Sequence, residues 1–394
     1  MARTRATLAQ VAARAGVSVS TASLAFSGSG PVSEATRHKV LVAAEELEYA
    51  GPDPRGRSLR QGRSGIIGVI MEERVLAAFR DPLRIAVLDG IAQETSAQGR
   101  GLLLLSDVGA SADAIGTATM DAAILFAFSH RSDRTVEMLR RRALPVVAVG
   151  GPDLGLLTVS IDDEAASVTA ARHLAELGHR EVAIVALPLV NADDADDADD
   201  AEDTDGRGTT FRRSAPDRTT ESGPSIEFRG PLTAAAERAG KVTVTLDRLR
   251  GVRSIYPAAP GLIAAGSSVE EGMIAGHALL ADRATRPTAV IAQSDLLAAG
   301  VIRAAAELGL SVPGDLSVIG FDGIALDRII SQDLTTMVQP AADEGRVAGR
   351  AVLDLLDGGS PGSVRFSCTF HRGATTAPPP PWAQRVDGRP RQTP

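Results

Sequence analysis

Apolar positions near the start of the chain recur with the period of a helix. Thr7 and Gln10 have the spacing of a capping box, and Gly16 supplies a left-handed turn residue after the first helix. Ser18 and Ser33 are N-cap candidates for a second and a third helix. The pattern predicts three short helices around one small core, with inward positions at Leu8, Val11, Ala12, Ala15, Ala22, Ala25, Phe26, Val40, Leu41, Ala44 and Leu47.

From residue 66 onward, short apolar runs alternate with amphipathic helical stretches. The runs Ile66–Met71, Ala122–Phe128 and Leu316–Gly320 have the length and composition of buried strands. A further β-branched run predicts a strand at Val242–Leu246. Repeated alternation of strand and helix favours an α/β fold in which helices cover both faces of parallel sheets.

Two segments lack the apolar content of a packed fold. Residues 191–205 contain nine acidic residues and no basic one, which predicts a disordered surface insertion over 190–225. A Ca²⁺ loop is the alternative there, but the Ala-Asp-Asp repeat lacks the turn glycine that such a loop needs. The Pro-rich stretch from 377 to 394 predicts an unstructured tail, which contains the single tryptophan, Trp382.

Charge is divided unevenly along the chain. Residues 1–64 carry nine Lys and Arg against five acidic residues, a net charge of +4 that leaves −12 for the rest of a chain whose formal charge is −8. A basic head on an acidic body suits contact with phosphates. No early apolar run has the length of a signal peptide or a membrane helix, and the single Cys368 excludes an internal disulfide. We therefore expect a cytoplasmic protein that does not bind membranes.

Helix, tight turn and helix in succession is a pattern found in DNA-binding proteins. The second predicted helix turns small, hydroxyl-bearing side chains outward, which suits close approach to bases and phosphates in a major groove. The pattern also recurs by chance, so a small helical subdomain without DNA binding is the alternative.

Longer motifs add specificity. Gly28–Arg37, Ala43–Tyr49 and Arg57–Arg60 stand in the first part of the chain, and Val159–Glu164 and Leu308–Asp322 in the second. As a set they resemble the lactose-repressor (LacI/GalR) family of bacterial transcription regulators. The resemblance implies a helix-turn-helix head at 1–49, a hinge linker at 50–63 and, at 64–376, a two-lobed periplasmic-binding-protein-like core of doubly wound parallel sheets.

The resemblance also implies double-stranded operator DNA as a partner and a homodimer that reads two half-sites. Leu59 matches the hinge leucine that wedges into the minor groove in that family, although a solvated linker is the alternative. Leu24 stands where many members place an arginine, so the operator sequence does not transfer. The predicted DNA contacts are Thr7, Ser18, Val19, Ser20, Thr21, Ser23, Leu24, Ser27, Arg57, Leu59 and Arg60.

For a cleft between two lobes, the resemblance implies a small polar metabolite, sugar-like in many members, as effector. The family often has a ligand-binding arginine three residues before a glycine just past the insertion. Glu227 occupies that place before Gly230, so we expect a pocket that lacks this arginine, and loss of effector control is an alternative. Asp295 is expected to cap the helix that begins at Leu296. The predicted effector residues are Arg80, Asp81, Arg229, Ser294 and Asp322.

Two other classes of protein compete with the regulator interpretation. A solute-binding protein of the transport type would share the core but would need export. An α/β enzyme is disfavoured because the six histidines are scattered and the sequence has neither a metal-ligand spacing nor a phosphate loop. We expect no metal and no cofactor. The Pro-rich tail has no heptads, so a dimer is expected rather than a tetramer.

Overall fold

The structure, a computed structural model, describes residues 6–28, 30–51, 62–72, 75–108, 112–126, 129, 132–189, 230–326 and 328–381. The chain divides into two compact units, residues 1–65 and 66–394, called here the head and the core. Several predictions fall outside the described residues, namely those on Arg57, Leu59, Arg60, Arg229, the insertion at 190–225 and Trp382.

The predicted caps begin the helices of the head. Thr7 Oγ1 accepts a hydrogen bond from Gln10 N at 3.3 Å, and Ser18 and Ser33 cap in the same way at 3.1 and 3.2 Å. Gly16 ends the first helix with a φ of 70°. The helices are α1 (Leu8–Ala15), α2 (Val19–Ser27) and α3 (Glu34–Glu46).

The head encloses the predicted core with one exception. Val11 and Ala22 are completely buried. Leu41 was predicted to face inward, and this is wrong, because its side chain is 47% exposed. A helical period of 3.6 turns position 41 about 100° away from the face that α3 buries. That face consists of Val40, Ala43 and Ala44.

The described part of the core contains the alternating strands that the apolar runs predict. The central strands of each sheet are buried along all or most of their length, as expected where helices cover both faces of a parallel sheet. They are β1 (Ile66–Met71), β2 (Gly101–Ser106), β3 (Ala122–Phe126), β4 (Val146–Val149), β5 (Leu157–Ile161), β6 (Val182–Ala186), β7 (Gly230–Pro231), β8 (Gly261–Ile263), β9 (Ala289–Ala292), β10 (Ser317–Asp322), β11 (Thr335–Val338), β12 (Val364–Phe366) and β13 (Thr369–His371).

Helices separate most successive strands. Among the described residues no helix combines the length and the apolar character that crossing a membrane requires. The helices of the core are α4 (Val75–Ala78), α5 (Pro82–Ala97), α6 (Ala112–Thr117), α7 (Asp133–Arg141), α8 (Asp163–Leu177), α9 (Ala234–Ala239), α10 (Thr243–Ile255), α11 (Val269–Leu280), α12 (Asp295–Glu307) and α13 (Ala341–Leu356).

Two sheets define two lobes. The first sheet has the order β12-β5-β4-β3-β1-β2, and all its pairs are parallel. The second has the order β13-β11-β10-β9-β6-β8-β7, with antiparallel pairs only at its two edges. The chain passes from one lobe to the other after β5, after β11 and between β12 and β13. The predicted α/β core of parallel sheets in two lobes is confirmed.

Helix α13 returns to the first lobe and packs against α5 with almost no space between the two backbones. A Cβ atom added to Gly345 would lie 2.0 Å from Val87 O, and one added to Gly90 would lie 2.2 Å from Ala342 O. Only glycine fits at these two positions. The close approach fixes the first turn of α13 beside the first lobe.

The predicted strand at Val242–Leu246 is wrong, because residues 243–255 form helix α10. The β-branched composition favours a strand, but Leu249 and Val252, three residues apart, are 2% and 1% exposed on the buried side of a helix. Packing against α8 therefore overrides the local propensity. The strand next to β6 is instead β8, a run of three residues.

The prediction of an unstructured tail starts at residue 377, which is too early in the chain. Ala377 O lies 2.8 Å from His179 Nε2 and accepts a hydrogen bond from Ser317 Oγ at 3.0 Å. Thr375 is completely buried, and its Oγ1 donates to Val318 O at 2.7 Å. The packed core thus includes Thr375 and Ala377, since these groups have partners in the second lobe.

Candidate nucleic-acid interface and ligand cleft

One side of α2 is exposed and carries small side chains. Ala22 and Ala25 are buried in the head, whereas Val19 and Leu24 are 50% and 37% exposed. Helical periodicity separates these two sets, as the sequence predicts. Of the other predicted DNA contacts in the described residues, Thr21 and Ser23 are half-buried, and the exposed ones are Thr7, Ser18, Ser20 and Ser27.

Hydroxyl groups fix the two ends of this exposed face. Ser18 Oγ accepts from Thr21 N and also lies 2.8 Å from Ser20 Oγ, so it holds the first turn of α2. Ser27 Oγ donates to Leu24 O at 3.1 Å in the last turn. Leu24 itself lies against Gly30, where an added Cβ would be 3.2 Å from Leu24 Cδ2. The face is therefore exposed and hydrogen-bonded at both ends, and its contact with DNA stays a prediction.

In the core, Arg248 of α10 is the centre of a buried polar site. Its side chain donates from Nε to Asp163 Oδ1 at 2.7 Å and from Nη1 to Gln293 O at 2.5 Å. Its Cζ atom lies 3.6 Å from the centroid of the Phe321 ring. The residue is only 4% exposed, so this charge is held by protein groups in place of water.

Asp322 ends strand β10 beside this arginine. Its Oδ1 accepts from Gln339 Nε2 at 2.6 Å and lies 3.7 Å from Arg248 Nη1. Its φ of 129° lies in a region that residues other than glycine rarely adopt, and such strain persists where surrounding contacts fix it. The predicted effector residue Asp322 is thus buried in the polar site.

Sequence reasoning missed Arg248 and placed the family's arginine wrongly. The spacing of an arginine three residues before a glycine is present at Arg248 and Gly251, just after the segment predicted to be a strand. Gly251 is needed because an added Cβ would lie 2.4 Å from Glu164 O. The expected absence of an arginine from the pocket is therefore wrong.

Ser294, and not Asp295, caps helix α12. Ser294 caps α12, since its Oγ accepts from Leu297 N at 3.2 Å. Asp295 is the first residue of the helix and is completely buried. Its carboxylate accepts hydrogen bonds from Gly323 N at 2.7 Å and Thr336 Oγ1 at 2.6 Å. Asp295 therefore ties the ends of two neighbouring strands, and the prediction that it caps the helix is wrong.

The start of helix α5 supplies a second arginine and its carboxylate. Asp81 caps α5 by accepting from Leu83 N at 3.0 Å and pairs with Arg84 Nε at 3.1 Å. It is 9% exposed, and the charge of Arg248 acts on it across the cleft. Arg80 is exposed, so the structure does not bring it into this buried cluster.

Burial controls the protonation of these groups. Desolvation raises the pKa of Asp322 well above its usual range, even though the Arg248 guanidinium acts in the opposite direction. Burial also raises the pKa of Asp163 and Asp81, and it lowers the pKa of Arg84 to about 10. The pKa of Glu344 rises to about 7, through burial first and the nearby Asp163 charge second.

The polar site combines side chains from the two lobes. Charged groups and amides from both lobes converge where parallel strands end, which is the usual position of a ligand in open α/β sheets. Within the described ranges no three His, Cys, Asp or Glu side chains form a group with the geometry of a metal site. The sequence analysis predicted site residues in both lobes, among them Asp81 in the first and Asp322 in the second. It did not predict Arg248 or Glu344, whose burial near these residues only the tertiary structure shows.

Comparison with known proteins identifies the two units. Residues 7–51 match the family of bacterial regulatory proteins described as the lacI family, and residues 171–376 match a periplasmic binding protein-like domain. The HTH-type transcriptional regulator Rv3575c of Mycobacterium tuberculosis is 34% identical over 96% of this chain and 98% of its own length. The HTH-type transcriptional repressor CytR of Escherichia coli is 30% identical over 95% of this chain and 98% of its own.

A solved structure has a similar fold over most of the chain. The lac repressor dimer bound to operator and the anti-inducer ONPF superposes with a TM-score of 0.70 at 20% identity, covering 95% of this chain and all of that one. The head, the two-lobed core and relatives aligned over nearly the whole length agree with one another. The chain belongs to the lacI family of bacterial regulatory proteins, and it is a transcriptional regulator with a helix-turn-helix head and a periplasmic-binding-protein-like core.

Proposed function

We propose that the protein is a homodimeric repressor that binds a near-palindromic operator and is modulated by a small polar metabolite bound between the two lobes of the core. The observation that carries the DNA-binding half is the exposed face of α2, held at both ends by hydroxyl hydrogen bonds. Two heads related by a twofold axis would read two half-sites one helical turn apart. The likeness to a lac repressor dimer on operator supports this geometry.

Arg248 supports the effector half of the proposal. A degenerate pocket would not need to retain a desolvated guanidinium bound to Asp163, Gln293 and the Phe321 ring. A ligand that exchanges hydrogen bonds with these groups would bind one arrangement of the lobes more tightly than another. Such differential affinity is what allosteric control of operator binding requires.

Gel-shift and footprinting assays on the DNA flanking the protein's own gene test the first half. We expect Leu24→Ala to weaken sequence-selective binding by about tenfold, because loss of recognition at one base pair typically costs about 1–3 kcal/mol. Leu41→Ala is the matched control, since Leu41 is an exposed leucine of the same head that lies on α3. Equal loss in both variants, or no selective binding by the wild type, would contradict the proposal.

The effector half has its own test. A reporter under the same operator, grown on a panel of small polar metabolites, should respond to one of them in the wild type. The response should disappear in Arg248→Met and persist in Arg250→Met, whose arginine lies on the same helix but is 59% exposed. Repression that ignores every metabolite, while operator binding is intact, would favour a regulator without an effector.

A further inference from the structure

A cavity of about 410 Å³ opens in the second lobe at the amino-terminal ends of its strands. Val182, the first residue of β6, lines the cavity, and so do Pro260 and Pro287, which lie just before β8 and β9. The polar site lies at the opposite ends of these strands, where Asp322 completes β10. The cavity is therefore separate from the proposed ligand cleft.

The lining of this cavity suits a flat apolar ring. Most of the lining is apolar, and three prolines contribute to it, at positions 257, 260 and 287. Thr285 also lines the cavity, and its hydroxyl donates to Asp282 Oδ2 at 3.1 Å, which leaves the hydroxyl oxygen able to accept. An apolar surface with one acceptor fits an indole, whose N–H usually has a partner when it is buried.

The chain segment 375–381 crosses the amino-terminal ends of the strands in the order of the sheet. Thr375 Oγ1 donates to Val318 O of β10. Ala377 O is bound by His179, which lies just before β6. In this sheet β6 comes after β10 and β9, and β8 comes after β6. The segment therefore runs along the edge of the sheet toward β6 and β8, where the cavity lies.

The segment ends next to the cavity. Pro379 packs against Gly178, since a Cβ atom added to this glycine would lie 3.8 Å from Pro379 Cδ. The next residue, His179, accepts through its carbonyl oxygen from the hydroxyl of Tyr256, which lines the cavity, at 3.0 Å. Trp382, the single tryptophan of the sequence, lies outside the described residues and follows Pro379 by three positions. Three residues of extended chain reach about 10 Å.

We propose that Trp382 docks in this cavity and attaches residues 382–394 to the second lobe of their own chain. The indole ring lies against the lining prolines and donates its N–H to Thr285 Oγ1. Removal of a large apolar ring from water favours docking. Charge favours it too, because residues 382–394 carry three arginines and one aspartate, whereas the chain after residue 64 has a net charge of −12. The inference goes beyond the proposed function, since it concerns the strand ends remote from the cleft.

The fluorescence of the single tryptophan in the full-length protein tests the proposal. Emission should lie at shorter wavelengths than that of free N-acetyltryptophanamide. Because pockets bury about 70–90% of a ligand's surface, acrylamide should quench Trp382 about three- to tenfold less efficiently than the free compound. Both values should stay constant on dilution, since the occupant belongs to the same chain. Docking adds one contact to a large core, so the melting temperature changes too little to serve as the readout.

Two matched variants locate the tryptophan. Ala258→Glu places a charged side chain at an exposed position of the cavity lining. In this variant emission should move to longer wavelengths, and quenching should rise to that of the free compound. Ala306→Glu changes an exposed alanine of α12 away from the cavity and should behave as the wild type. Circular dichroism should be the same for all three proteins, because both alanines are exposed.

Three results would overturn the inference. Emission and quenching like those of the free compound in the wild type would show that Trp382 is not docked. Shielding that Ala258→Glu leaves unchanged would place the indole elsewhere. Shielding that is lost on dilution would make the occupant the tail of a second copy of the chain.

Discussion

At the scale of single residues, the polar site depends on pairing between buried charges. Arg248 has Asp163 at 2.7 Å and Asp322 at 3.7 Å, and all three side chains are more than nine-tenths buried. Removing one partner of such a set leaves the others charged and desolvated. Sequence motifs marked Asp322, but nothing local shows which base neutralises it, because Arg248 is 74 positions away along the chain.

We expect Arg248→Met to lower the free energy of unfolding of the core by about 3–5 kcal/mol, the usual cost of breaking a buried ion pair. The measurement is denaturation followed by circular dichroism. Arg250→Met serves as the control and should change stability by less than about 0.5 kcal/mol, because its arginine is largely exposed. A double variant with Asp163→Asn should recover part of the loss. Equal stability of the two single variants would show that the buried charge is not paired as described.

Glu344 should make stability depend on pH. Its pKa is about 7 in the folded protein and near 4.5 in the unfolded chain, so the folded state holds the proton more tightly. Stability is then greatest below pH 4.5 as far as this group is concerned, and it declines as pH rises to 7, by at most about 3 kcal/mol.

The comparison between wild type and Glu344→Gln isolates this effect, because the raised pKa values of Asp163 and Asp322 act in both proteins. The difference in melting temperature between them should grow from pH 5 to pH 8 in favour of the variant. Asp343→Asn should track the wild type. Parallel curves for all three proteins would mean that Glu344 is not desolvated.

At the scale of elements, the positions of the site residues depend on glycines that let two helices touch through their backbones. Gly345 and Gly90 allow α13 and α5 to touch through their backbones, and Gly251 does the same for α10 and α8. The first pair places Glu344 in the first lobe, and the second places Arg248 beside Asp163. These glycines position charged residues that lie near them in sequence.

Gly345→Ala should destabilise the core by about 1–3 kcal/mol or more, since the new methyl group would overlap Val87 O. Gly116→Ala is the control, because the new group would lie 3.4 Å from Met138 Sδ and alanine favours a helix. Chemical denaturation measures both. If Gly345→Ala is as stable as Gly116→Ala, the two helices are not in backbone contact.

At the scale of the whole molecule, the chain combines a basic head with an acidic core. We call residues 375–381 of this core the strap, because its first residues are hydrogen-bonded to the second lobe. Thr375 donates to Val318 O and accepts from Thr335 N at 2.9 Å, and Ala377 O is bound by His179 and Ser317. These contacts join sequence positions up to 198 residues apart. Composition alone predicted an unstructured tail from 377 onward.

Truncation separates the strap from the remaining tail. A chain that ends after Pro381 should keep its melting temperature within about 2 °C, whereas one that ends after Ala374 leaves buried polar groups of β10 and β11 without partners and should lose several kcal/mol of stability. Differential scanning fluorimetry measures the two. Equal stability of both truncations would show that residues 375–381 do not hold the second lobe.

Operator affinity should fall steeply with salt. If the basic head contacts phosphates, the logarithm of the binding constant declines linearly with the logarithm of salt concentration, with a slope of about −0.9 for each phosphate neutralised. Titration by fluorescence anisotropy between 50 and 300 mM KCl measures the slope. A slope near zero would contradict a DNA-binding head.

The sequence by itself determined the features that depend on a few neighbouring residues. Thr7, Ser18 and Ser33 cap helices through hydrogen bonds to residues three positions later, whatever the helices pack against. A continuous apolar run such as Ile66–Met71 is typical of a buried strand. Motif spacing and the split of charge gave the family and its two units. These properties need no knowledge of distant contacts.

Tertiary structure decided the rest. It made a helix of Val242–Leu246, since burial of Leu249 and Val252 against α8 outweighs β propensity. It gave the cap to Ser294 and bound Asp295 to a neighbouring strand. It also allowed the charge of Arg248 to act on the pKa of Glu344, 96 positions later in the chain. Such outcomes depend on which surfaces meet when helices and sheets pack, and the free energy of that packing belongs to residues far apart in sequence.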